Sequence, residues 1–138
     1  MSDSKPHKIL KNSFLFIVIF QALHSLEEFC FKLWVQLPPA RFLSSLISDD
    51  LSVGFAVLNL CIVAFAVWSY LVPIRRGSSC AFPLMWFWAC LEFLNGSGHL
   101  WFGLSAGGYF PGVLTAPFLI ATSTYLAFQL STNRQPAQ

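Results

Sequence analysis

The sequence predicts an all-α protein, a bundle of four transmembrane helices with both termini in the cytoplasm. Three observations carry that expectation. Hydrophobic residues make up 56% of the 138, charged residues only 10%, and the mean hydropathy is +0.63. Soluble domains carry about 25% charged residues, so this chain cannot coat a water-exposed sphere. Disorder needs low hydrophobicity and high net charge, and is excluded too. Fifteen Phe and five Trp suit a bilayer, which rewards apolar area on the outside. A span needs about 20 mostly apolar residues, so the chain holds about four.

The elements follow in order. Residues 1–12 read as a cytoplasmic tail with Lys5, Lys8 and Lys11, residues 13–131 as the membrane domain, and residues 132–138 as a second tail with Arg134. The first apolar run covers residues 13–37, with a polar cluster inside it, and Pro38-Pro39 ends it. A short loop with Arg41 leads to Asp49 and Asp50. The second run covers residues 51–73, and Arg75-Arg76-Gly77 makes a tight basic turn. The third covers residues 80–104, a Gly-rich loop spans 105–112, and the last run covers 113–130.

Lysines followed by apolar residues 14–20 resemble a secretory signal. No small-x-small site follows at Gln21-Ala22-Leu23-His24, and apolar character resumes through Trp34, so an uncleaved first span is expected. The two tails and the Arg75-Arg76 turn carry six of the eight basic residues, all on one side of a four-span protein. Basic residues favour the cytoplasm, which orients both termini inward and places the chain as a multi-pass protein of the inner (plasma) membrane. Membrane lipids are its expected surroundings. The net charge is only +2 and no basic patch interleaves with aromatics, so nucleic acid is not an expected partner. Cys30, Cys61, Cys80 and Cys90 form no CxxC pair and read as small buried hydrophobes.

Five ionisable residues fall inside apolar runs: His24, Glu27 and Glu28 in the first, Glu92 and His99 in the third. An acid at mid-bilayer costs about 2.5–3.5 kcal/mol, so three together approach ~10 kcal/mol unless paired, protonated or hydrated. On a helix, His24 and Glu28 lie about 40° apart and Glu27 about 60° to the other side of His24, with Gln21 at the edge. Glu92, Asn95 and His99 fall within an arc of about 60°, flanked by Trp88, Gly96 and Gly103. Counted from residue 13, His24 and Glu28 lie roughly 17–23 Å deep; counted from residue 80, Glu92 and Asn95 lie at roughly 18–23 Å and His99 at about 28 Å. Asn59 in the second run falls near the same level. Two polar stripes at one depth should face each other.

Three motifs lie along the same stripes: HxxEE at residues 24–28, NxxxH at 95–99 and YxPG at 109–112. Together, in this order and in so short and apolar a chain, they resemble the HXXEE family of small prokaryotic membrane proteins. The resemblance runs from about residue 13 to residue 130. It implies an integral membrane protein without a settled activity. It marks His24, Glu27, Glu28, Asn95, His99, Tyr109, Pro111 and Gly112 as site residues; Glu92 comes from the helical-face argument instead.

The favoured expectation is a divalent metal, zinc, iron or manganese, on His24, Glu28, Glu92 and His99. An open coordination position would suit water-activating chemistry on a hydrophobic small molecule. Glu27, Glu28 and Tyr109 are then the candidate catalytic groups, and Asn95 and Asn59 hold ligands in orientation. Dimetal carboxylate bundles also use Glu and His three residues apart, but this set is one carboxylate short and runs His before Glu.

A second reading is metal-free acid–base isomerisation of a lipid-soluble substrate, with a glutamic acid as donor, His24 returning the proton, and Trp88, Trp101 and Phe102 stabilising a cation. A third is proton or ion transport along the same residues, for which four helices make a thin path. Interhelical hydrogen-bond glue returns only about 0.6–2 kcal/mol per link. Bis-histidine haem would leave the paired glutamates unexplained. Pro111-Gly112 reads as a turn, with Tyr109 either settled at an interface or reaching over the site. Gly96, Gly98, Gly103, Gly107 and Gly108 would admit a close neighbour.

Overall fold

The computed structural model describes residues 5–133. The described chain is all-helical, with six α-helices and no strand: α1 (Lys5–Cys30), α2 (Leu33–Gln36), α3 (Pro38–Ser45), α4 (Leu51–Ser69), α5 (Ala81–Ala106) and α6 (Ala116–Thr132). Two apolar stretches, Lys8–Cys30 and Leu51–Ile74, are long and apolar enough to cross a membrane. Arg134 and the rest of the second tail lie outside the described residues.

Helix α1 is the central element, packing against α4 on one side and against α5 and α6 on the other. Helices α5 and α6 form a tight hairpin. Gly96 makes it possible: a Cβ there would stand 2.8 Å from the Ala116 carbonyl oxygen and 2.9 Å from Ile120. Gly103 is likewise held against Val113, whereas Gly98 and Gly108 face open space. Two apolar clusters sit along the bundle. One gathers Phe14, Ile17, Met85, Trp88 and Leu126; the other gathers Leu33, Trp34, Ala40, Phe55 and Phe110.

Local chemistry explains the boundaries and corrects several expectations. Helix α1 begins at Lys5, inside the segment read as a polar tail, and ends at Cys30 rather than running on to residue 37. Lys32 ends it in the left-handed conformation, φ 55°, and the chain turns into α2. The segment after Pro38 is not a loop. Pro38 and Pro39 occupy the first two positions of α3, where a missing N–H costs nothing and the proline φ is already helical.

Helix α4 starts on Asp50, whose carboxylate accepts the Ser52 N–H at 2.9 Å and the Val53 N–H at 3.4 Å. With the Ser52 hydroxyl, these bonds hold the Asp50 carboxyl below its usual range. The far end of α4 widens into a π-helical turn, Tyr70–Ile74, around Pro73. A proline has no N–H to give the ladder, and such bulges absorb that loss. All four cysteines lie on the outer surface, contrary to the buried expectation. The apolar runs here present greasy side chains outward, so hydropathy alone does not tell inside from outside.

Candidate metal centre

Between the two apolar clusters the interior turns polar. On α1, His24 and Glu28 are one turn apart, and His24 Nε2 lies 3.4 Å from Glu28 Oε1. From α5, His99 Nε2 reaches the same oxygen at 3.0 Å. The two imidazoles meet edge to face, with ring centres 4.5 Å apart. His24, Glu28 and His99 are all buried, and one ligand atom from each lies within 4.8 Å of the others. His24 Nε2 has no hydrogen-bond partner among the described residues.

The other ring nitrogens are engaged. His99 Nδ1 stands 2.6 Å from the Pro111 carbonyl oxygen. A carbonyl can only accept, so in the neutral ring Nδ1 carries the hydrogen and Nε2 presents its lone pair. His24 Nδ1 stands 2.7 Å from the Thr115 hydroxyl.

Both contacts come from the loop joining α5 to α6. Gly107 leaves α5 with φ 65°, and the chain then folds back over the site. Glu27 holds it there. Its Oε1 accepts the Tyr109 hydroxyl at 2.7 Å and the N–H groups of Gly112 and Leu114, each at 3.1 Å. Its Oε2 accepts the Thr115 N–H at 2.9 Å and the Thr115 hydroxyl at 2.6 Å. These backbone donors lead into the first turn of α6, where N–H groups lack helical partners and a negative charge is favoured. Gly112, φ 94°, lies directly on the imidazoles: a Cβ there would stand 2.7 Å from His24 Cε1 and from His99 Cε1.

The three sequence motifs thus converge on one place. A family model described as "Protein of unknown function with HXXEE motif" matches residues 14–126. The chain belongs to the HXXEE family. No curated protein and no solved structure matches it.

In this HXXEE protein the two glutamates of the motif have different partners. Glu28 faces the histidines and Glu27 faces the loop. Glu92 is buried, yet it is not among the three clustered donors. The Gln21 amide takes it: in the orientation that satisfies both neighbours, the nitrogen donates to the Glu92 carboxyl at 2.8 and 3.0 Å and the oxygen accepts from Ser25. Asn95 also contacts Glu92. Asn59 donates at 3.3 Å to the Phe55 carbonyl of its own helix. Trp88 bonds Ser69 at 3.1 Å within the first apolar cluster, Trp101 is exposed, and Phe102 stacks on Phe110.

Sequence reasoning missed Thr115 and the carbonyl of Pro111. Thr115 carried one signal, a Thr directly before Ala116-Pro117 at a helix start, which is a helix-capping pattern. A carbonyl oxygen carries no side-chain signal at all.

Proposed function

We propose that this HXXEE protein holds one divalent cation on His24, Glu28 and His99, at the core of a four-span membrane bundle. The observation that carries the reading is the orphaned nitrogen of His24. Two buried imidazole nitrogens and one carboxylate oxygen converge, and the His24 nitrogen has no hydrogen-bond partner among the described residues. Ligand atoms of a tetrahedral site at about 2.0–2.2 Å from the metal lie about 3.3–3.6 Å apart. The separations of 3.4 and 3.0 Å to Glu28 bracket the short edge of that range.

Two nitrogens and one oxygen suit zinc, iron or manganese. Three protein ligands leave a position open, the arrangement of sites that activate water or polarise a substrate. A hydrophobic molecule reaching the site through lipid is the substrate class this environment favours.

Purified in mild detergent, the protein should carry close to one equivalent of metal, and a Glu28→Gln variant almost none. Protein that stays metal-free by elemental analysis after supplementation with zinc, iron and manganese overturns the reading. The metal-free alternative rests on the 3.0 Å contact between Glu28 and His99, which one shared proton would satisfy. It leaves His24 Nε2 unserved.

The membrane assignment is supported by an inverted distribution of polarity. His24, Glu92 and Gln21 are buried, while Phe16, Leu60, Leu94 and Phe128 are each more than half exposed. Water penalises that arrangement and lipid rewards it. In the proposed topology α1, α4, α5 and α6 span the inner membrane with both termini in the cytoplasm. An enzyme tag that works only outside the cytoplasm should be silent at either end. Activity at both ends would reverse the orientation.

A further inference from the structure

We propose that Thr115 positions His24 for the cation by fixing which ring nitrogen carries the hydrogen. The inference rests on the cation-site reading and adds a residue outside the three motifs. A hydroxyl has one hydrogen to give and lone pairs to accept with. Three atoms surround Thr115 Oγ1: two that can only accept, Glu27 Oε2 at 2.6 Å and the Gly112 carbonyl at 3.3 Å, and one that can take either role, His24 Nδ1 at 2.7 Å. A hydroxyl–carboxylate bond of that length belongs to the strong, charge-assisted class. The Thr115 hydrogen therefore goes to Glu27, and its lone pair faces His24. His24 Nδ1 must donate, which in the neutral ring leaves the Nε2 lone pair on the side of Glu28 Oε1 and His99.

The reversed arrangement fails at Glu27. It would set the bare Thr115 oxygen against the Glu27 carboxylate at 2.6 Å with no hydrogen between them. Pro111 does for His99 what Thr115 does for His24. Thr115 differs because its direction depends on the charge of Glu27, so that carboxylate orients the site without touching the cation. Outer partners of this kind are the ones that fix the tautomer of a metal-binding histidine.

The test uses the full chain in lipid nanodiscs and two readouts. The first is the NMR shift of the His24 ring nitrogens in metal-free protein. The second is zinc affinity by competition with a chelator. Thr115→Ser keeps the hydroxyl and should match the parent in both. Thr115→Val removes the acceptor; His24 should become a mixture of tautomers and zinc affinity should fall about 10–100-fold. Glu27→Gln keeps the shape but turns a donor towards Thr115, sending the hydroxyl hydrogen to His24 Nδ1. His24 should then carry its hydrogen on Nε2, with a zinc loss at least as large.

His24 remaining purely Nδ1-protonated in Glu27→Gln overturns the inference, even where Thr115→Val does not fold. If the parent takes up neither zinc, iron nor manganese, the cation reading falls, and the nitrogen shifts still decide the role of Thr115.

Discussion

A Gly112→Ala variant is expected to lose the proposed cation site while keeping its helices. Two costs coincide at this position. A φ of 94° strains any residue with a Cβ, on the order of 1–3 kcal/mol. The added methyl would also press on both imidazoles, at 2.7 Å from His24 Cε1 and His99 Cε1. The loop cannot back away without releasing Pro111 from His99 and Thr115 from His24. Zinc affinity should drop roughly 100-fold or more, which is about 2.8 kcal/mol.

Gly108→Ala is the matched control. It lies in the same loop with open space around it and no positive φ, so it should bind as the parent does. Equal zinc affinity in the two variants would show that the loop does not press on the histidines.

Trp88→Ala should cost stability and leave cation binding alone. Trp88 is fully buried, edge-on to Phe14 at 6.4 Å and tilted against Phe65 at 5.4 Å, with its indole N–H on Ser69. Truncating a buried Trp costs about 3–5 kcal/mol through lost contacts and the cavity left behind. His99 is about 16 Å further along α5, so the ligands should keep their places in the folded fraction. The measurement is a denaturant titration in detergent alongside zinc affinity. A variant of parental stability and weakened zinc binding would return Trp88 to the site, where the sequence alone had offered it as an aromatic face for a cation.

Much of the site was legible because helices are locally periodic. His24 and Glu28 share a face by their spacing alone, and so do Glu92, Asn95 and His99. Similar depth along two runs predicted that the stripes face each other; they do, but shifted by about one turn, so His99 rather than Glu92 lies against Glu28, at 3.0 Å. The cysteines show the opposite limit. Periodicity locates an apolar face, but in a chain greasy all round it does not say which face is inside. The helix after Pro38 was hidden for another reason. A proline pair reads as a stop from one side and as a helix start from the other, and only the chain beyond it decides.

By itself the sequence determined the apolar composition, the pairing of His24 with Glu28 and of Asn95 with His99 one turn apart, and the faces on which the polar stripes lie. These are consequences of residue type and helical pitch, which act over a few residues. The tertiary structure alone decided which carboxylates join the histidines. Glu27 and Glu28 are neighbours, but 100° of helical rotation sends one into the unpaired N–H groups before α6 and the other between two imidazoles. Glu92 shares the His99 stripe and is taken by Gln21 from the facing helix. Each acid is captured by the nearest group that can offset its burial, and those groups come from segments distant in the chain.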